Sequence, residues 1–101
     1  FMSAGHLISP AEVDDAVLQH PGVADVGVWG RHDPVAGTLV EAHVVPAAGY
    51  EPGDDLARDI LGFARAKLGP ALAPRTIQFR THLPRTPSGK IVRKDLGNPQ
   101  P

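Results

Sequence analysis

Near the carboxyl end stands Pro84-Arg85-Thr86-Pro87-Ser88-Gly89-Lys90-Ile91-Val92-Arg93, which holds the residue types best suited to chemistry. Two prolines stiffen the approach, Gly89 permits tight backbone geometry, and Lys90 follows at once. A lysine on a restrained loop presents a compact, mobile cation suited to phosphate or carboxylate recognition. The alternative is an ordinary surface lysine beside a turn, and residue chemistry alone leaves both open. The stretch is not a P-loop: Gly-x-x-x-x-Gly-Lys-Ser/Thr is absent, and no strand feeds a glycine-rich turn into a helix there.

Other chemistries find less material. Without cysteine, disulfides, thiolate nucleophiles and Cys-based zinc or iron–sulfur sites are excluded. His6, His20, His32, His43 and His82 are scattered without His-x-x-x-His or His-Glu-x-x-His spacing, so no metal site is expected. His43 reads as pointing out of a strand, and Trp29 as a core or interface residue. No triad or paired-carboxylate constellation stands out.

The net charge of −1 conceals an asymmetry. Residues 1–74 hold four basic and ten acidic side chains, net −6, whereas residues 75–101 hold six basic and one acidic, net +5. A basic tail on an acidic body points either to an anionic ligand at one end or to a solvated face. A nucleic-acid partner is not expected, because the tail lacks interleaved aromatics and known motifs. Nothing approaches the ~18 consecutive apolar residues of a membrane span. The N-terminus lacks a signal-peptide pattern, so a soluble, cytoplasmic protein without a membrane partner is the expectation.

With 101 residues the chain suffices for one compact domain, with little core left over to wall a large substrate pocket. Ser9-Pro10-Ala11-Glu12 reads as a helix start, with Ser9 as cap, Pro10 at the first helical position and Glu12 completing a capping box. That helix shares Val13, Ala16 and Val17 on one face and ends at His20-Pro21-Gly22. Strands are predicted over 23–30 and 39–46, joined by a loop in which Asp33 and Gly37 make turn chemistry. Asp54 or Asp55 caps a second helix with Leu56, Ile60, Ala64 and Leu68 in register, stopped by Gly69-Pro70. A short strand at 77–80, the loop 83–90 and a last short helix through Leu96 follow. With a first short strand near 1–4, the order βαββαβα fits an α+β fold, a small three-stranded sheet flanked by helices.

Leu83 to Arg93 resembles the final signature of the adenylate-forming enzymes: acyl-CoA synthetases, peptide-synthetase adenylation domains and luciferases. Ser3-Ala4-Gly5-His6-Leu7-Ile8-Ser9-Pro10-Ala11-Glu12-Val13 looks like the segment after that family's interdomain hinge. His20-Pro21-Gly22-Val23-Ala24-Asp25, Asp33-Pro34-Val35-Ala36-Gly37 and Ala73-Pro74-Arg75 match in order between them. The resemblance spans nearly the whole chain. It implies a single C-terminal domain over residues 1–101, with a large N-terminal domain, the partner that holds the ATP and acyl pockets, lying upstream. Short- and medium-chain acyl-CoA synthetases are the nearer likeness, by Gly5-His6-Leu7-Ile8, Pro10-Ala11-Glu12-Val13 and Gly62-Phe63-Ala64-Arg65.

Such enzymes join a carboxylate to ATP, then rotate the small domain so that a thiol such as CoA attacks the adenylate. By this resemblance Lys90 is the catalytic residue of the first step. Gly5, His6, Ser88 and Gly89 are the nucleotide- and CoA-facing positions, Gly5 leaving room for the pantetheine arm. ATP and CoA are substrates, magnesium belongs to the large domain, and the isolated chain is expected to be inactive. Pro84-x-x-x-x-Gly89-Lys90 is also similar to the sequence that protein acetyltransferases modify, which makes such an enzyme a further implied partner. Leu7 departs from the family, which often has an arginine there; the hinge residues would lie before Phe1. The chain therefore reads as a fragment of a longer enzyme. The alternative reading is a free-standing, non-catalytic module that docks on a partner adenylation core or another protein.

Overall fold

A computed structural model describes residues 2–3, 6–35 and 37–97. β1 (Met2–Ser3) and β2 (His6–Leu7) form a two-stranded antiparallel ribbon, followed by α1 (Pro10–Leu18), β3 (Val23–Asp33) and β4 (Gly37–Pro46). Then come α2 (Asp54–Leu68), β5 (Thr76–Phe79) and a 3₁₀ helix over Arg93–Gly97. The expected α+β class and three-stranded sheet hold, in the order β3-β4-β5. β3 and β4 make a long antiparallel hairpin; β5 joins parallel to β4 after the α2 crossover, so the sheet is mixed.

One face of the sheet carries the core. Val26, Val28, Val40, Ala42 and Val44 meet Val13 and Val17 of α1 and Leu56, Ile60 and Ala64 of α2. Valine spacing in β3 is irregular, since Val23 and Val26 are three apart, yet both are buried. A register shift between Val23 and Asp25 leaves Ala24 as the extra residue and returns Val26 and Val28 to the inner face.

The second face is covered by the C-terminal segment, and this fixes where the Lys90 loop can sit. A side chain at Gly27 would meet Ile91 and Leu96 at 3.2 and 3.3 Å, and Trp29 lies against Gly97. Beneath that cover lies a polar layer on β3 and β4. The Trp29 Nε1–H donates to Glu41 Oε1 at 3.1 Å, His43 Nε2 bonds the same oxygen at 2.8 Å, and Arg31 Nε lies 3.3 Å from Glu41 Oε2.

Several local expectations change. β3 runs to Asp33 and β4 begins at Gly37, extending the hairpin; the Asp33 carboxylate accepts the Val35 N–H at 3.0 Å and Gly37 has φ +87°, as turn chemistry requires. Ser9 is the cap of α1, but its side chain makes no cap hydrogen bond; its carbonyl accepts from Val13 N. The cap of α2 is Gly53, with Asp54 and Asp55 in the first turn, where they complement the helix dipole without bonding the backbone. His43 is not a solvent-facing strand residue: it is buried to 5 % exposure, opposite Gly27 in the sheet and bonded to Glu41. The last helix is 3₁₀, not α.

Candidate functional site: a lysine-bearing hairpin

Residues 84–92 form a small hairpin closed by a bridge between Arg85 and Ile91. Thr86 N–H donates to the Lys90 carbonyl at 2.8 Å, Gly89 N–H to the Thr86 carbonyl at 2.9 Å, and Val92 N–H to the Pro84 carbonyl at 2.9 Å. This is a three-residue loop, Pro87-Ser88-Gly89, ending on a glycine at φ +91°. Proline presets the first turn position, and glycine supplies the left-handed conformation that closes a bulged hairpin. Lys90 N–H also donates to Thr86 Oγ1 at 3.2 Å, and Thr86 Oγ1 pairs with Ser88 Oγ at 3.0 Å.

Ser88, Gly89 and Lys90 are therefore brought together at one exposed tip. The Lys90 ammonium has no hydrogen bond or ion pair among the described residues. Gly5 lies outside the described residues; of His6 only the backbone, in β2, is described. Four surface depressions of about 320 to 430 Å³ lie elsewhere, and Lys90 lines none of these four. The ammonium of Lys90 is thus an exposed cation on a preshaped turn.

Two ion pairs seat this hairpin. Arg85 Nη2 donates to Asp25 Oδ1 and Oδ2 at 2.7 and 2.8 Å, and Arg85 Nη1 donates to the Gly89 carbonyl. Downstream, Arg93 Nη2 donates to Asp14 Oδ2 at 2.7 Å and Nη1 to the Val28 carbonyl at 2.6 Å, while Asp14 Oδ1 accepts the Val28 N–H at 2.9 Å. β3 is an edge strand, so Asp14 and Arg93 together satisfy both backbone groups of Val28 that the sheet leaves unpaired.

The family model for the AMP-binding enzyme C-terminal domain matches residues 12–90. The chain belongs to that family. Acetyl-coenzyme A synthetase of Methanothrix soehngenii is 44% identical over 101 residues, which cover 95% of this chain and 15% of that protein. The acetyl-coenzyme A synthetase of Bacillus subtilis (strain 168) is 40% identical over 95 residues, 94% of this chain and 17% of the relative. Among solved structures, Brucella canis acyl-CoA synthetase superposes with a TM-score of 0.87 at 38% identity, covering 93% of this chain and 17% of that one. This AMP-binding C-terminal domain thus spans about one-sixth of the length of the relatives it matches.

Sequence reasoning missed Asp14, Asp25 and Glu41, because each looked like ordinary surface charge. The signal lay in the charge asymmetry: an acidic body and a basic tail complement each other within one chain. Arg85 and Arg93 answer Asp25 and Asp14, so these charges of the tail are engaged internally. The His20-Pro21-Gly22 motif is likewise structural. The Gly22 N–H donates to His20 Nδ1 at 2.9 Å, and His20 Nε2 meets Asp59 of α2, tying the end of one helix to the other.

Proposed function

We propose that this chain is the mobile C-terminal domain of an acyl-CoA synthetase that activates a carboxylic acid with ATP and passes it to CoA, with Lys90 serving the first step. The observation that carries the reading is the unpartnered Lys90 ammonium on a preshaped turn, in a domain whose relatives are acetyl-coenzyme A synthetases. In that step a carboxylate oxygen attacks the α-phosphorus of ATP and pyrophosphate leaves. A cation delivered between the two reacting anions lowers their repulsion and holds them in line. In the second step the CoA thiol attacks the acyl carbonyl carbon, a proton leaves the sulfur, and AMP departs.

The large N-terminal domain would supply the ATP and acyl pockets and hold magnesium with its own ligands. Among the described residues no group of three or more His, Asp or Glu comes together as a metal site. Gly5 and His6 would serve the thiol step after rotation of the small domain, a motion of the gating kind, and Ser88 and Gly89 would line the nucleotide in the first. The isolated chain would then bind neither substrate tightly and turn over neither.

ATP–pyrophosphate exchange on the full-length enzyme, wild type against Lys90→Ala, tests this with acetate and other short acids. Exchange should fall by orders of magnitude while thioester formation from preformed adenylate persists. Lys90→Gln, which imitates acetylation by removing the charge, should behave as Lys90→Ala. Exchange that survives both substitutions refutes the role given to Lys90 and favours a docking module.

A further inference from the structure

A hairpin's internal hydrogen bonds fix its shape but not its direction. The bonds of Thr86, Gly89 and Val92 all close within residues 84–92. At the base, Ile91 rests over Gly27 of β3 and ties that end to the sheet. Across the bridge from Ile91 stands Arg85, whose guanidinium reaches up to the Gly89 carbonyl and makes a further contact to the body, the Asp25–Arg85 pair.

Most exposed ion pairs hold two floppy side chains together and contribute little. This one is constrained from both sides. Asp25 Oδ1 accepts the Val26 N–H of its own strand at 2.9 Å, so the carboxylate is already fixed on the sheet edge. Arg85 faces both carboxylate oxygens, and its other terminal nitrogen holds the Gly89 carbonyl, the peptide group that leads directly into Lys90. The planar guanidinium therefore links the sheet edge to the peptide unit that carries the lysine, a geometry an ammonium could not reproduce.

We propose that the Asp25–Arg85 pair is a positioning device that sets the angle at which the hairpin presents Lys90, so that the ammonium arrives in register with the reacting phosphate and carboxylate. The proposal rests on the role given to Lys90 above. Neither Asp25 nor Arg85 touches substrate in this reading. Arg85, neutralised by Asp25, leaves Lys90 as the free cation of the tip.

The test compares Asp25→Asn, Arg85→Gln and Arg85→Lys with Lys90→Ala in the full-length enzyme. It measures ATP–pyrophosphate exchange, thioester formation from preformed adenylate, and deuterium uptake by the peptide 84–92. Small misplacements of a catalytic group are costly, so Asp25→Asn and Arg85→Gln should each lower kcat for exchange by about 5- to 10-fold. KM for ATP and the thioester step should not move, uptake across 84–92 should rise, and Arg85→Lys should fall between wild type and Arg85→Gln. Asp25→Asn is decisive, because it frees the Arg85 charge: a contribution of that charge to substrate binding would survive or strengthen, whereas positioning is lost. A kcat within about threefold of wild type for Asp25→Asn, or unchanged uptake, overturns the proposal. Failure of the Lys90 reading would show separately, as exchange unaffected by Lys90→Ala, and the uptake measurement would still decide whether the pair orients the hairpin.

Discussion

Replacing Asp14 with alanine should destabilise the whole domain, not merely loosen its tail. The carboxylate accepts the Val28 N–H at 2.9 Å and the Arg93 guanidinium at 2.7 Å, joining α1, the free edge of β3 and the 3₁₀ helix. A neutral hydrogen bond contributes about 1 kcal/mol and one to a charged group about 1.5–3 kcal/mol. Asp14 is 16 % exposed and Arg93 31 %, so the orphaned guanidinium can rehydrate and the lower end applies. The expected loss is therefore about 2 kcal/mol, or roughly 8–16 °C in Tm for a domain of this size. Urea unfolding followed by circular dichroism should show a lower midpoint with an unchanged slope. Arg93→Ala removes the same pair plus the bond to the Val28 carbonyl and should cost at least as much. Because the two changes strike one interaction, the double variant should be milder than the sum of the singles by about 1 kcal/mol. An Asp14→Ala loss below about 0.5 kcal/mol, or additive singles, would mean that the clamp is geometry without energy.

Two further outcomes follow from single residues. Gly89→Ala places a side chain in open space but at φ +91°, so its whole cost is backbone strain, about 1–3 kcal/mol borne by the hairpin; in the full-length enzyme it should slow pyrophosphate exchange, and wild-type exchange with wild-type deuterium uptake at 84–92 would refute the bulged-turn account. His43 is held below its usual value of 6.5, first by burial and secondarily by the positive Arg80, against an opposing pull from Glu41. The folded domain keeps the ring neutral where the unfolded chain takes up a proton, so His43's contribution to stability is complete above about pH 6.5 and is lost as pH falls through the lowered folded-state value. Urea midpoints of wild type should therefore drop between pH 7.5 and 5.5 more than those of His43→Gln; the opposite order would overturn the assignment.

What the sequence made legible was whatever local physics decides. Helix faces, the Asp33 turn and the Gly69 stop, where φ is +82°, were all readable from spacing and turn chemistry. At the Lys90 loop the restraint imposed by its prolines and Gly89 was readable, but not the hairpin, whose closure depends on the Arg85–Ile91 bridge. What escaped was decided by distant partners. His43 reads as an outward strand residue, yet the fold buries it beside Glu41, and nothing in the spacing of Asp25 announces its pairing with Arg85, sixty positions later. The cap of α2 was missed for a different reason: Gly53 precedes two aspartates that are equally good cap candidates by type, and the backbone there selects the residue before both. The odd valine spacing of β3 needed a bulge that only pairing with β4 reveals.

The C-terminal segment divides its cations by chemistry. Arg85 and Arg93 are each engaged by a carboxylate and by a backbone carbonyl, which suits a planar fork with several fixed donors. Lys90, with one rotatable charge on a flexible stem, is left facing solvent without a partner among the described residues. Exchanging the types would weaken the arrangement in both directions. A lysine at 85 has no fixed fork to span Asp25 and the Gly89 carbonyl as the guanidinium does, and an arginine at 90 would bring a bulkier, more weakly hydrated fork to the tip. The arrangement therefore separates two demands that compete within one basic segment: rigid seating of the hairpin on the sheet, and a single mobile charge at its end. A domain whose tail simply carried solvated surface charge would have no physical reason to keep arginines for internal pairs and a lysine for the tip.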